Sequence, residues 1–251
     1  MSTQAIPGGA AKRASRFGAI FGRTFLKGAL WWFGRGEQPL NQKIKTMSAK
    51  MTKSLPAPIQ AAIAQEIASS RALGQLATAR KLGETAPDFT LPDHSGRTHS
   101  LAELVSNGPV VIAFLRGGWC PYCNLELRDL ARREPEMRAL GARIVVLSPE
   151  RPGQVMSFEN VSPVAIPILV DASNAVARSY GVTHQFGTSL RQVNEHFGLD
   201  LGEHNGDPCY VLPVPAVYIV DRDRRIRFAH TDGSYMDRVE PEALIAALRG
   251  L

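Results

Sequence analysis

The 251-residue sequence predicts an α/β fold, a central mixed sheet flanked by helices, with a basic N-terminal extension. Three observations predict it. Short apolar, β-branched runs alternate with segments of helical spacing over most of the chain. One run, Val110–Phe114, leads through two glycines into a helix that opens on a Cys-x-x-Cys. Farther on, two runs joined through a short polar turn read as an antiparallel hairpin, and an amphipathic helix follows.

Taken in order, residues 1–40 form the basic extension and 41–81 a linker with one packing helix. In that helix Ile59, Ala62, Ile63, Ile67 and Leu73 follow Pro58 at near-helical spacing. The main domain spans 82–251. Pro87–Pro92 gives a short strand and Asp93–Arg97 a turn. Leu101–Leu104 is a helical piece, ended by the breaker Asn107-Gly108-Pro109. Val110–Phe114 is a buried strand. The helix from Pro121 to about Arg133 is expected to bend or break at Pro135. Arg143–Leu147 is the next strand, and a Pro/Gly loop then leads to a helix near Gln154–Asn160. Ile166–Asp171 follows as a strand, with Pro167 marking its start or a sheet edge. Val176, Ala177 and Tyr180 form a helix stopped at Gly181. Residues 182–210 read as an insertion with a helix from Leu190 to about Phe197. Ala216–Val220 and Ile226–His230 are the hairpin, and Pro241–Leu248 the closing helix.

Charge is unevenly placed. Residues 1–60 carry ten Lys/Arg against Glu37 alone, whereas 61–251 carry nineteen Lys/Arg against twenty-two Asp/Glu. The domain is mildly acidic, which disfavours a nucleic-acid role for it. Three cysteines, two of them in one motif, argue against a disulfide-stapled secreted scaffold and for a reducing, cytoplasmic setting. In the basic arm Phe17, Ile20, Phe21 and Phe25 line one side of a hypothetical helix beside Arg16, Arg23 and Lys27. Residues 12–33 therefore fit peripheral membrane contact, an organellar presequence or a disordered extension.

The chemistry lies in Arg116-Gly117-Gly118-Trp119-Cys120-Pro121-Tyr122-Cys123-Asn124-Leu125-Glu126. Both sulfurs fall in or before the first turn of a helix, where free amides and the dipole favour a thiolate. A zinc site is disfavoured, because four ligands are needed and the third cysteine, Cys209, has no ligand-like histidine beside it. No metal and no cofactor is implied. The pattern is that of a redox dithiol.

These residues resemble the peroxiredoxin-like branch of the alkyl hydroperoxide reductase/thiol-specific antioxidant (AhpC/TSA) superfamily. Gly83–Pro92 is similar to the family's entry strand and Leu212–Asp221 to the strand opposite its active site. The resemblance implies a thioredoxin-like fold with peroxiredoxin-type additions. It also implies a thiol-dependent peroxidase that reduces hydrogen peroxide and organic hydroperoxides, recycled by a thioredoxin- or glutaredoxin-like electron donor. Aligned on peroxiredoxins, Cys123 attacks and Glu126 matches a frequent family acid. Aligned on thioredoxins, Cys120 attacks and Cys123 resolves. The family's arginine just before the opposite strand is replaced here by Pro215, which instead looks like the cis-proline that faces the dithiol in thioredoxins. Arg116 is a candidate substitute for that arginine, since a guanidinium near sulfur lowers its pKa. Trp119 and Tyr122 would rim the site, and Cys209 is a candidate third thiol.

Two other activities fit the same residues. One is a protein dithiol–disulfide oxidoreductase of thioredoxin type. The other is a non-catalytic, membrane-associated redox sensor docked through the basic arm.

Overall fold

The structure, a computed structural model, describes residues 38–73, 76–154 and 166–251. Helices α1 (Leu40–Lys53) and α2 (Ala57–Ala72) precede a hairpin of β1 (Thr90–Pro92) and β2 (Thr98–Ser100). Next come α3 (Leu101–Ser106), β3 (Val110–Phe114), α4 (Pro121–Ala139), β4 (Arg143–Ser148) and β5 (Ile168–Val170). A 3₁₀ turn at Ala172–Asn174 and α5 (Ala175–Ser179) lead to β6 (Thr183–Gln185), α6 (Thr188–His196), α7 (Leu201–Asn205) and β7 (Val211–Pro213). The last elements are β8 (Ala216–Val220), β9 (Ile226–Thr231) and α8 (Pro241–Arg249).

The central sheet runs β5–β4–β3–β8–β9, parallel between β3, β4 and β5 and antiparallel from β3 through β8 to β9. This is the mixed sheet expected, with β5 on the edge where Pro167 allows it. Period-two alternation divides its side chains between two cores. Val111 and Ala113 of β3, Ile144 and Val146 of β4, and Val217 and Ile219 of β8 face one core with α1, α4 and α8. Val110, Ile112, Phe114, Val145, Leu147, Ala216, Tyr218 and Val220 face the other. There Phe114, Tyr180 and Tyr218 stack with ring centroids 5.1–6.1 Å apart. Cys120 and Cys123 belong to the first core.

Four expectations need correction or qualification. The segment read as a linker holds a 14-residue helix, α1. Its apolar stripe of Leu40, Ile44 and Met47 is interrupted by Lys43, which hides the period. Lys43 is nonetheless buried, because Nζ donates to both Asp129 oxygens at 2.7 and 2.8 Å. Second, α4 passes through Pro135 without a break. Buried Leu130, Ala131 and Met137 on either side pin it to the core, and Arg133 pairs with Glu136 and Glu242 on the outer side. That packing offsets the roughly 3 kcal/mol a mid-helix proline costs. Third, the helix expected over Gln154–Asn160 lies, beyond Gln154, outside the described residues. So, fourth, does the basic arm through residue 37.

The Lys43–Asp129 pair joins α1 to the dithiol helix. Asp129→Ala strands a buried ammonium and is expected to cost about 3–5 kcal/mol in urea unfolding. The double change Lys43→Met/Asp129→Leu is expected to recover most of that loss.

Candidate active site

The dithiol turn is fixed before any substrate arrives. Cys120 is the N-cap of α4 and Pro121 opens its first turn, where the missing N–H costs nothing. Gly117 takes φ +145°, and a Cβ there would lie 2.3 Å from Trp119 Nε1, so the indole packs where a side chain would stand. Gly118 donates its N–H to Glu150 Oε2 at 2.8 Å, and its carbonyl accepts from Asn124 Nδ2 at 2.7 Å. The same Asn124 amide reaches the Cys120 carbonyl at 3.1 Å. Glu150 Oε1 lies 3.3 Å from His204 Nδ1, which ties α7 to the loop.

Both cysteines are free thiols and buried, at 1% and 0% exposure. Two guanidiniums flank them. Arg116 is 1% exposed and stacks on Phe186, Tyr235 and Trp119 at 4.7, 4.9 and 5.2 Å from the ring centroids. Its Nε and one Nη have no hydrogen-bond partner. Arg238, also buried, pairs with Glu126, donates to the Tyr235 carbonyl at 2.7 Å and reaches Cys123 Sγ at 3.8 Å. Asn41 holds the Arg238 backbone through Oδ1 and Nδ2, at 2.9 and 2.6 Å. Glu240 caps α1 by accepting from Leu40 N and Asn41 N. Thus α1 and the 235–240 segment lock together over the dithiol.

The charges explain the protonation. Burial pushes the Cys120 thiol up, but the hydrogen bond from Cys123 and the charges of Arg116 and Arg238 outweigh it and bring it to about 6. Cys123 moves the other way. Burial raises it, and its bond to Cys120 together with the charge there raises it further, against the pull of Arg238. The pair holds one proton, on Cys123. With Glu126 ionised, Arg116, Arg238, Glu126 and the Cys120 thiolate sum to zero inside a dry core. That balance answers the cost of a buried unpaired cation.

Burial pushes the Glu126 carboxyl up to about 7 despite Arg238. The folded protein therefore binds more protons than the unfolded chain between pH 4.5, the ordinary value, and about 7. Stability falls as pH rises through that window, by an amount on the order of 3 kcal/mol. Urea midpoints of the parent minus those of Glu126→Gln, taken across that range, should show this slope. Midpoints that differ by the same amount at every pH contradict it.

Of the residues singled out in the sequence, Cys120, Cys123, Arg116, Trp119, Tyr122 and Glu126 come together. Tyr122 stacks on Tyr235 at 5.7 Å and donates to Ser48 Oγ at 3.3 Å. Cys209 does not join them. It is exposed in the turn before β7, its N–H on Asp207, and it lies outside the dithiol core. Pro215 is buried, but the described residues contain no cis peptide bond, so the cis-proline expectation is corrected. Trans is the favoured X–Pro isomer by ~0.5–1 kcal/mol, and the preceding Val214 N–H is satisfied by Val182 O at 2.7 Å. Sequence reasoning gave no role to Asn124, although it stands directly after Cys123 in the motif, and it missed Arg238, Glu150 and Asn41, none of which sits in a periodic or motif position that could flag it.

Comparison with known proteins agrees with this architecture. The model of the AhpC/TSA family matches residues 82–229. A Mycobacterium tuberculosis protein provisionally named a peroxiredoxin is 31% identical over 174 residues, covering 68% of this chain and 97% of that one. The thiol-disulfide oxidoreductase ResA of Geobacillus thermodenitrificans is 32% identical over 106 residues, covering 42% of this chain and 60% of its own. Among solved structures, peroxidoxin BcpB of M. tuberculosis superposes with a TM-score of 0.54 at 26% identity, covering 68% and 97% of the two chains. Leu40, Lys43, Asn41, Tyr235 and Arg238, which cover or flank the dithiol, all lie outside the matched 82–229.

Proposed function

The chain belongs to the AhpC/TSA family, a thioredoxin-fold oxidoreductase, and from that premise we propose that it is a thiol peroxidase for small hydroperoxides. The observation that carries this is the near-complete burial of the dithiol beside two guanidiniums. A sulfur at 0–1% exposure favours a small hydroperoxide over a folded protein's disulfide, which, like a protein donor, meets it only when the α1 and 235–240 cover moves.

Cys120 is the attacking thiolate. Its sulfur bonds to the terminal peroxide oxygen, the O–O bond breaks, and the alkoxide takes the proton held by Cys123. This leaves a sulfenic acid on Cys120 and a thiolate on Cys123 beside Arg238. Cys123 then attacks Cys120 Sγ, forms the disulfide and expels hydroxide. The hydroxide takes a proton from solvent or from Glu126, whose carboxyl titrates near the working pH. Proximity in the Cys-x-x-Cys limits overoxidation. A thioredoxin- or glutaredoxin-like donor returns two electrons, and a reducing cytoplasmic compartment suits the cycle.

Low thiolate pKa and the ResA similarity also favour disulfide exchange, so the test compares the two. Reduced protein is mixed rapidly with hydrogen peroxide and, separately, with an oxidised protein disulfide, and tryptophan fluorescence is followed. Peroxide is expected to oxidise the dithiol at least tenfold faster. The reverse order would make this a disulfide exchanger.

A further inference from the structure

Charge in this chain is segregated along the sequence, and the fold puts part of the basic share on one helix face. Residues 1–65 hold ten Lys/Arg and one acid, Glu37, while 66–251 hold nineteen Lys/Arg and twenty-two Asp/Glu. Four of the ten fall in α1, which has no acidic residue. Lys43 turns inward to Asp129. Lys45, Lys50 and Lys53 are exposed and share an outer stripe with Gln42, Thr46 and Ala49. That stripe, at spacings of three and four, lies opposite Leu40, Ile44 and Met47, which pack in the dithiol core.

The form of the basic share decides its partner. Lys45 to Lys53 runs about 12 Å along the helix axis, a convex row of ammonium groups that suits an extended anionic surface rather than a small ion. The run that leads into α1 narrows the choice. Over residues 12–35 it interleaves six Lys/Arg with Phe17, Phe21, Phe25, Trp31, Trp32 and Phe33. These residues precede the described part of the chain, and their composition is the point. Cations beside bulky aromatics are what the headgroup boundary of a bilayer takes up. Duplex nucleic acid offers phosphates to the cations but nothing to that apolar content.

We propose that the outer face of α1, with the basic and aromatic run that leads into it, docks this protein on an anionic lipid bilayer. The lysines meet headgroup phosphates, an attraction that acts within about 8 Å at physiological ionic strength. Each lysine near the surface adds roughly fivefold to the affinity. Residues 66–251, with nineteen basic against twenty-two acidic side chains, are repelled by the same surface, so the protein lands with α1 first. Docked in this way, the dithiol helix lies one helix, about 10 Å, in from the lipid. The inner face of α1 already covers it, with Asn41 on Arg238 and Ser48 on Tyr122. The inference stands whether the dithiol serves peroxides or disulfides.

The test is sedimentation of the full chain with vesicles of phosphatidylcholine, alone or mixed with phosphatidylglycerol. Binding to the anionic vesicles is expected to be tighter by about tenfold or more and to weaken as salt is added. Lys45→Gln/Lys50→Gln/Lys53→Gln is expected to lower it about a hundredfold. Arg97→Gln/Arg143→Gln/Arg222→Gln removes as many exposed charges from outside α1 and is expected to lower it roughly threefold or less. All six positions are exposed, where glutamine is tolerated, so both variants keep the fold. No preference for anionic vesicles, an α1 variant that binds like the parent, or equal losses in the two variants would overturn the proposal. Tighter binding to duplex DNA than to anionic vesicles, per phosphate and at the same salt, would also overturn it and make the face a nucleic-acid contact.

Discussion

Arg238→Met is expected to destabilise the protein by roughly 3–5 kcal/mol and to slow oxidation by peroxide about a hundredfold. The two losses have separate causes. Stability falls because Glu126, 1% exposed, is left as a buried carboxyl without its cation, and because the Tyr235 carbonyl loses its donor. Rate falls because the positive charge 3.8 Å from Cys123 Sγ no longer supports charge on either sulfur. The double change Arg238→Met/Glu126→Leu separates them. Removing both members of a buried pair is often close to neutral, whereas removing one is not. Urea unfolding of the double variant should return near the parent while its peroxide rate stays low. Recovery of both would reduce Arg238 to a structural role. Arg238→Lys is expected to fall between, since one ammonium cannot reach Glu126, the Tyr235 carbonyl and the sulfur together.

Arg116→Met is expected to leave stability unchanged or slightly higher while moving the Cys120 thiol upward. The cage of Trp119, Phe186 and Tyr235 accepts a thioether, and the change removes two buried donors that have no partner. With its thiol at about 6, Cys120 is about nine-tenths thiolate at pH 7. Each pH unit that the thiol rises above 7 lowers that fraction, and the rate at pH 7, about tenfold. Ultraviolet titration of the thiolate reads the shift directly. The lost rate should return at high pH, which damage to the fold would not allow. Reduction potential supplies a second readout. Oxidation removes the thiolate that balances Arg116, so the disulfide of the parent is the more oxidising of the two proteins.

Much of this site was legible in the residues themselves. Strand β3 showed as an unbroken apolar run and α4 as a period that starts at a proline, so the position of the dithiol at a helix start followed. Most of what escaped is buried charge. A sequence shows apolar stripes, and this protein buries several charges inside its stripes. Lys43 interrupts α1 and made a helix look like a linker, because its partner Asp129 is 86 residues away. Arg116 was flagged by its place beside the motif, but its aromatic cage was not. Only the fold brings Phe186 and Tyr235 around it. Arg238 lies in an aperiodic loop and meets Cys123 across 115 positions of sequence. Pro135 misled in the opposite sense, since local chemistry argued for a break that tertiary packing overrides. Pro215 misled because its resemblance to a cis-proline carried an isomer with it, and the strand entry accommodates the trans form.

The central claim is that Cys120 carries the thiolate and meets the peroxide. It is tested most directly by mixing reduced Cys120→Ser and Cys123→Ser with hydrogen peroxide, then trapping sulfenic acid with dimedone for mass spectrometry. The account predicts rapid, single-site trapping at Cys120 in Cys123→Ser and little reaction in Cys120→Ser. Rapid trapping at Cys123 in Cys120→Ser, with Cys123→Ser inert, would contradict it and give the attack to the buried thiol beside Arg238.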